Sequence, residues 1–258
     1  MTQPYLSVKD IEPLINVRLL NAALLRTKER PGHLPGIVGC FGPPGWGKTC
    51  AATLIANTHD CAHIELKSYW NRKTFFEALC LELGIQLKRA TIGAMGQAIS
   101  QHLGRTRQPL IIDEVDIAIQ KGFVDDIRAI FEDSRTVVII IGEETLPQDL
   151  LRWERFHSRV LEWVPAEPPA LADTSALVKR FCREGISIAD DLTLELHTQS
   201  GKSVRRICVN IERVQEFARE NGLEIVDLAI WNAQTEKTFY TGDVSRISSA
   251  PQPPRRRR

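Results

Sequence analysis

The segment Gly42-Pro43-Pro44-Gly45-Trp46-Gly47-Lys48-Thr49 constrains the fold of this chain more than any other. It fits the pattern G-x-x-x-x-G-K-[ST], and the pattern has a physical reading. A polyphosphate is a dense anion. Backbone N–H groups close around it only where glycines keep side chains out of the way. Lys48 can then reach the β- and γ-phosphates, and the Thr49 hydroxyl can join the shell of a Mg²⁺ ion. The loop needs a strand before it and a helix after it. Gly36-Ile37-Val38-Gly39-Cys40-Phe41 reads as a buried strand entering the loop, and residues 49–57 read as a helix leaving it, its positive end under the phosphates. A phosphate cradle is therefore expected from Gly42 through Cys50.

Strands and helices alternate on either side of this loop. Strands are expected at 36–41, 62–66, 109–113, 136–142 and 160–164. Unbroken runs such as Val137 to Ile141 suit a parallel sheet buried on both faces. Residues 10–28 carry Ile11, Ile15, Leu19, Ala22 and Ala23 near helical spacing, with Pro13 in the first turn, where it is tolerated. Pro165, Pro168 and Pro169 mark a boundary. Beyond it no strong strand is expected, and residues 170–184, 190–199, 203–220 and 224–235 read as helices. In the third of these Val204, Ile207, Cys208, Ile211 and Val214 form one apolar stripe. The expected layout is an N-terminal helical segment (1–35), an α/β core with a central parallel sheet flanked by helices (36–166), a small helical lid (167–236) and a tail (237–258).

Composition narrows the class. The chain has 258 residues, 43% hydrophobic and 25% charged, which is ordinary for a soluble protein. No apolar run reaches the roughly 20 residues that span a bilayer, and the N-terminus lacks the apolar core of a signal peptide. Six scattered cysteines with no C-x-x-C pair argue against a zinc site or a disulfide scaffold and point to the cytoplasm. Formal net charge is +1, but residues 255–258 are four arginines, so the rest of the chain sums to −3. The end SSAPQPPRRRR is poor in apolar residues and reads as disordered. Its arginines suit an anion such as nucleic acid, or are an uninformative charged terminus.

Leu110-Ile111-Ile112-Asp113-Glu114 is a hydrophobic strand ending in two carboxylates. Beside a phosphate loop, the first acid can hold the shell of Mg²⁺ and the second can polarise water for in-line attack on the γ-phosphate. Asp113 takes the metal role and Glu114 that of catalytic base.

Together these features resemble the AAA+ ATPases. The resemblance implies ATP as ligand and an oligomer in which one subunit completes its neighbour's site. In that family a strand between the carboxylate strand and the lid ends in a polar sensor. Here Glu143 occupies that position, a departure because a carboxylate repels the γ-phosphate, and Thr145 is the fallback donor. The run Arg155-Phe156-His157-Ser158-Arg159-Val160 falls where the family places an arginine that enters the neighbouring subunit's nucleotide. Its spacing favours Arg159, then Arg155, and the alternative is a basic helix end pairing with Glu154 or Glu162. Gly201-Lys202-Ser203-Val204-Arg205-Arg206 resembles the second sensor motif, with Arg205 best placed to touch the γ-phosphate.

The runs Gly142-Glu143-Glu144-Thr145-Leu146 and Arg155 to Arg159 further resemble the DNA-transposition ATPases, the group of the phage Mu B protein, TnsC and TniB. That resemblance implies a homo-oligomeric filament or ring on duplex DNA, without base reading, and a transposase as partner. It places Lys73 and Thr91 on the DNA phosphates, with Arg72, Lys88 and Arg89 nearby. Ordinary charge flanking two helices is the alternative. The rival functions are a replication helicase loader and a signalling NTPase without DNA.

Overall fold

The structure, a computed structural model, describes residues 14–234 and 237–242. Ile11, Pro13 and the proline–arginine tail lie outside the described residues. The chain divides into two compact units after Asp173.

The first unit runs α1 (Ile15–Lys28), β1 (Ile37–Phe41), α2 (Lys48–His59), β2 (Ala62–Glu65), α3 (Arg72–Glu82), α4 (Ile92–Thr106), β3 (Leu110–Asp113), α5 (Asp116–Gln120), α6 (Val124–Ser134), β4 (Val138–Gly142), α7 (Leu146–Leu150), α8 (Glu154–His157) and β5 (Val160–Pro165). The five strands form one parallel sheet in the order β2-β3-β4-β1-β5. The expected strands are present within two residues at each end. Their composition explains them. Leu110, Ile111, Ile112 and Val138 to Ile141 are all inaccessible to solvent, as a sheet covered on both faces demands. Cys40, Cys61 and Cys80 are buried among these apolar residues, and burial pushes the Cys40 thiol up to about 12.

The N-terminal helix differs from expectation in the face that it buries. Val17, Leu20, Ala23 and Leu24 point inward together with Asn16 and Thr27, while Ile15, Leu19 and Ala22 are only half-buried. Two polar residues belong to the inner face, so counting apolar residues alone rotates the stripe. The Thr27 hydroxyl is satisfied by the Ala23 carbonyl at 2.8 Å.

Helix α9 (Leu171–Phe181) crosses the division. The second unit then contains β6 (Ser187–Ile188), α10 (Asp190–Gln199), α11 (Val204–Asn221), β7 (Ile225–Val226) and α12 (Leu228–Ala233). Val204, Ile207, Ile211 and Val214 form the buried stripe of α11, and Cys208 is half-buried at its edge. The unit is not purely helical. β6 and β7 pair in parallel, and β7 occupies the start of the segment expected as a fourth helix. Inside this unit Asn210 is fully buried. Its amide donates to Ser200 Oγ at 2.9 Å and to the Tyr240 carbonyl at 3.2 Å, and its oxygen accepts the Tyr240 N–H at 2.7 Å.

Gly39 sits in β1 directly beside Trp163 of β5. A Cβ at Gly39 would lie 2.3 Å from the indole ring. Gly39→Ala is therefore expected to destabilise the first unit by about 1–3 kcal/mol through overpacking. Chemical denaturation of Gly39→Ala and of Gly39→Ala/Trp163→Leu checks this. The double variant should recover part of the loss.

Candidate functional site

The loop after β1 makes turns that suit glycine. Gly45 and Gly47 hold φ of 84° and 89°, in the left-handed region that costs other residues energy. Pro43 and Pro44 stiffen the entry. Helix α2 starts at Lys48 with no side chain capping it, so the N–H groups of its first turn face the loop. Lys48 Nζ donates to the carbonyls of Gly42 at 2.5 Å and Pro43 at 3.0 Å. The ammonium is thus held over the cradle by the loop itself.

Strand β3 delivers the two carboxylates. Asp113 is 2% exposed; its Oδ1 accepts the Glu114 N–H at 2.9 Å, and its buried Oδ2 has no hydrogen-bond partner. Burial pushes the carboxyl up, while the Thr49 hydroxyl, the Glu114 N–H and His63 pull it down. Thr49 faces this acid without satisfying its Oδ2. A buried carboxylate oxygen without a donor, opposite a threonine hydroxyl at the phosphate loop, fits a hydrated divalent cation. Cys50 completes the first turn of α2, and burial raises its thiol pKa.

Glu114 leaves the strand at φ 57°, a strained conformation for a side chain that lacks glycine's freedom. The turn puts it on the exposed rim of the site. Partial burial raises its pKa, Asp113, Asp116 and Glu65 add to the effect, and Lys48 opposes it. A carboxylate raised towards neutrality accepts a proton from water more readily.

Two positioning residues escape a reading of the sequence. Asn16 of α1 is 5% exposed. It donates from Nδ2 to the carbonyls of Trp46 and Glu167, each at 2.8 Å, and its Oδ1 accepts the Glu167 N–H at 2.8 Å. It thereby ties the phosphate loop to the strap that leaves β5. The only signal was a polar residue on the inner face of a helix. The second is Asp116, whose Oδ2 accepts the Glu143 N–H at 2.9 Å and would clash with any Cβ at Gly142. It sets the course of the chain out of β4. The Glu143 side chain is exposed, and the Thr145 hydroxyl donates to Asp149 Oδ2 at 2.8 Å.

The remaining cations separate by their partners. Arg159 Nε donates to Glu132 Oε1 at 2.8 Å, which joins the start of β5 to α6. Arg155 is exposed and has no side-chain partner among the described residues. Arg205, in the second unit, is exposed in the first turn of α11. Arg72 grips Asp126 through two bonds, at 2.6 and 2.7 Å. Lys73 reaches Glu77 at 3.4 Å along α3. The Thr91 oxygen caps α4 by accepting the Ala94 N–H at 3.2 Å, which leaves its O–H free to donate. Lys73, Lys88 and Arg89 come together around one surface groove.

Removing the Lys48 ammonium should lower nucleotide affinity at least about tenfold, the scale of a lost charge-assisted bond. Titration of Lys48→Ala with a fluorescent ATP analogue checks this. Glu114→Gln should bind the analogue normally and lose about 10²–10⁴-fold in hydrolysis, because an amide cannot accept the proton. Phosphate release by the purified variant gives the answer.

Residues 32–150 match the AAA domain family. No curated protein sequence matches the chain. Among solved structures it is similar to the ORC1 protein of Aeropyrum pernix in complex with DNA, at 18% identity and a TM-score of 0.59 over 88% of this chain and 66% of that one. It is similar to CDC6P of Pyrobaculum aerophilum, at 15% identity and a TM-score of 0.61 over 87% of this chain and 66% of that one. It is also similar to the ORC2 protein of Aeropyrum pernix, solved with ADPNP and ADP, at 12% identity and a TM-score of 0.68 over 97% of this chain and 74% of that one. The chain thus spans just under two thirds of the length of the first two. Among the described residues no helix is long and apolar enough to cross a membrane. The match of residues 32–150 to the AAA domain and the shared architecture give the chain the AAA+ α/β fold.

Proposed function

We propose that the chain is an ATP-dependent, DNA-binding AAA+ ATPase that regulates DNA transposition. ATP binding would drive its assembly on target DNA, the assembly would recruit the transposase, and hydrolysis would release or remodel it. One observation carries the ATPase core of this reading. Lys48, Thr49, Asp113 and Glu114 stand at the C-terminal ends of β1 and β3, which flank β4, so the phosphate cradle, a metal-ready acid and a raised carboxylate share one edge of the sheet. Lys48 exchanges the loop carbonyls for phosphate oxygens. Thr49 and Asp113 would hold Mg²⁺, which would supply positive charge against the polyphosphate. Glu114 accepts the proton of the attacking water.

The pairing of side chains supports one choice of interfacial arginine over the other. We rank Arg155 ahead of Arg159, because Arg159 is committed to Glu132 within its own subunit and Arg155 is exposed and unpaired. Arg205 is assigned to the γ-phosphate on the motif alone. DNA contact is assigned to Lys73 and to the free O–H of Thr91, both suited to phosphate rather than bases. A fold neighbour solved on DNA supports a DNA-associated role. The transposition assignment rests on the resemblance of residues 142–146 and 155–159. A cytoplasmic site of action accompanies it.

Electron microscopy of the protein with ATP and duplex DNA tests the assembly. Filaments or rings on DNA support the reading, and closed hexamers that ignore DNA contradict it. Capture of a purified transposase, and not of a replicative helicase, tests the partner. For the interface, Arg155→Ala should lower hydrolysis by about 10³-fold. Mixing it with Lys48→Ala should restore part of the activity, since each variant supplies what the other lacks at mixed interfaces. Arg159→Ala should instead lower the thermal midpoint, and the same mixing should not rescue it.

A further inference from the structure

The groove bounded by α3 and the turn before α4 has a composition that DNA phosphates do not explain. It encloses about 660 Å³, the size of a pocket for side chains. Its floor is apolar, built from Cys80, Ile85 and Met95. Two leucines stand at its edge and face water: Leu81 is 83% exposed and Leu87 43%. Exposed leucines beside an apolar trench mark a protein contact more than a backbone contact to nucleic acid. Lys88 and Arg89 follow Leu87 directly. Neither side chain has a partner among the described residues. Arg89 holds φ 49°, so the turn is set in a conformation that its residue type does not favour.

We infer that this groove docks a short segment of a protein partner that carries large apolar side chains with Asp or Glu immediately beside them. The apolar side chains would fill the trench over Ile85 and Met95. The carboxylates would pair with Lys88 and Arg89, and the charge complementarity at that lip selects an acidic segment. Leu81 and Leu87 would be covered on docking and would supply most of the binding energy. The inference does not depend on the DNA-binding reading. It assigns Lys88 and Arg89 to a protein; Lys73 also lines the groove but is paired with Glu77 there, and its DNA role, unlike that of Thr91, competes with docking.

The probe is a phage-displayed library of random short peptides panned on the full-length protein, with counter-selection on Leu87→Ser/Arg89→Glu. Both positions are exposed, so the fold tolerates the changes. The expected pool pairs Leu, Ile or Phe with Asp or Glu. A synthetic peptide of the consensus should bind with saturable fluorescence anisotropy. It should lose at least about tenfold in affinity to Leu87→Ser and, separately, to Lys88→Glu. A duplex oligonucleotide is titrated against the same variants. The inference is overturned if panning enriches no peptide over counter-selection, or if the enriched peptides lack carboxylates. It is also overturned if Leu81→Ser and Leu87→Ser change nothing while Lys88→Glu weakens duplex binding and flattens its salt dependence, for then the lip serves DNA.

Discussion

The site depends on the turn that β1 makes as it leaves the sheet. Gly45 and Gly47 adopt backbone angles that a side chain would resist, and through them the chain reverses into α2 with its first N–H groups uncapped. Those free donors and the helix dipole make the loop attractive to anions before any charged side chain is counted. Lys48 adds a full charge, held over the same loop by the Gly42 and Pro43 carbonyls. Asn16 ties the loop to the strap after β5, so the cradle is braced from both ends. β3 then brings Asp113 and Glu114 to the same edge, with β4 between them and β1.

Much of this was legible in the sequence because it follows from strong local rules. A run such as Val138 to Ile141 suits a strand covered on both faces, and the phosphate loop can be read from its glycines and lysine. The amphipathic stripe of α11 is equally plain. What stayed hidden depends on partners distant in sequence. Asn16 and Thr27 disturb the apolar count of α1 because their polar groups are satisfied only in three dimensions. Strands β6 and β7, two residues each, are too short to display a period. Asp116 stands two residues after Glu114, yet its work is to hold the backbone at Glu143.

The arginines and lysines teach the same lesson in electrostatics. Spacing alone groups Arg72 with Lys73 and Arg155 with Arg159. In the fold, Arg72 serves Asp126 and Arg159 serves Glu132, and both ion pairs join separate elements of one unit. Such partly exposed pairs contribute modestly to stability. Their consequence is a division of labour: cations without a side-chain partner among the described residues, Arg155, Lys88 and Arg89 among them, are available to another molecule.

The central claim is that one edge of the sheet hydrolyses ATP in a reaction coupled to DNA. Steady-state phosphate release by the full chain with Mg²⁺, measured with and without duplex DNA of random sequence, tests it most directly. The account predicts hydrolysis that rises on addition of duplex whatever its sequence and disappears when the metal is chelated. Release of phosphate at one rate with and without DNA, or none from the folded protein under any of these conditions, would contradict it.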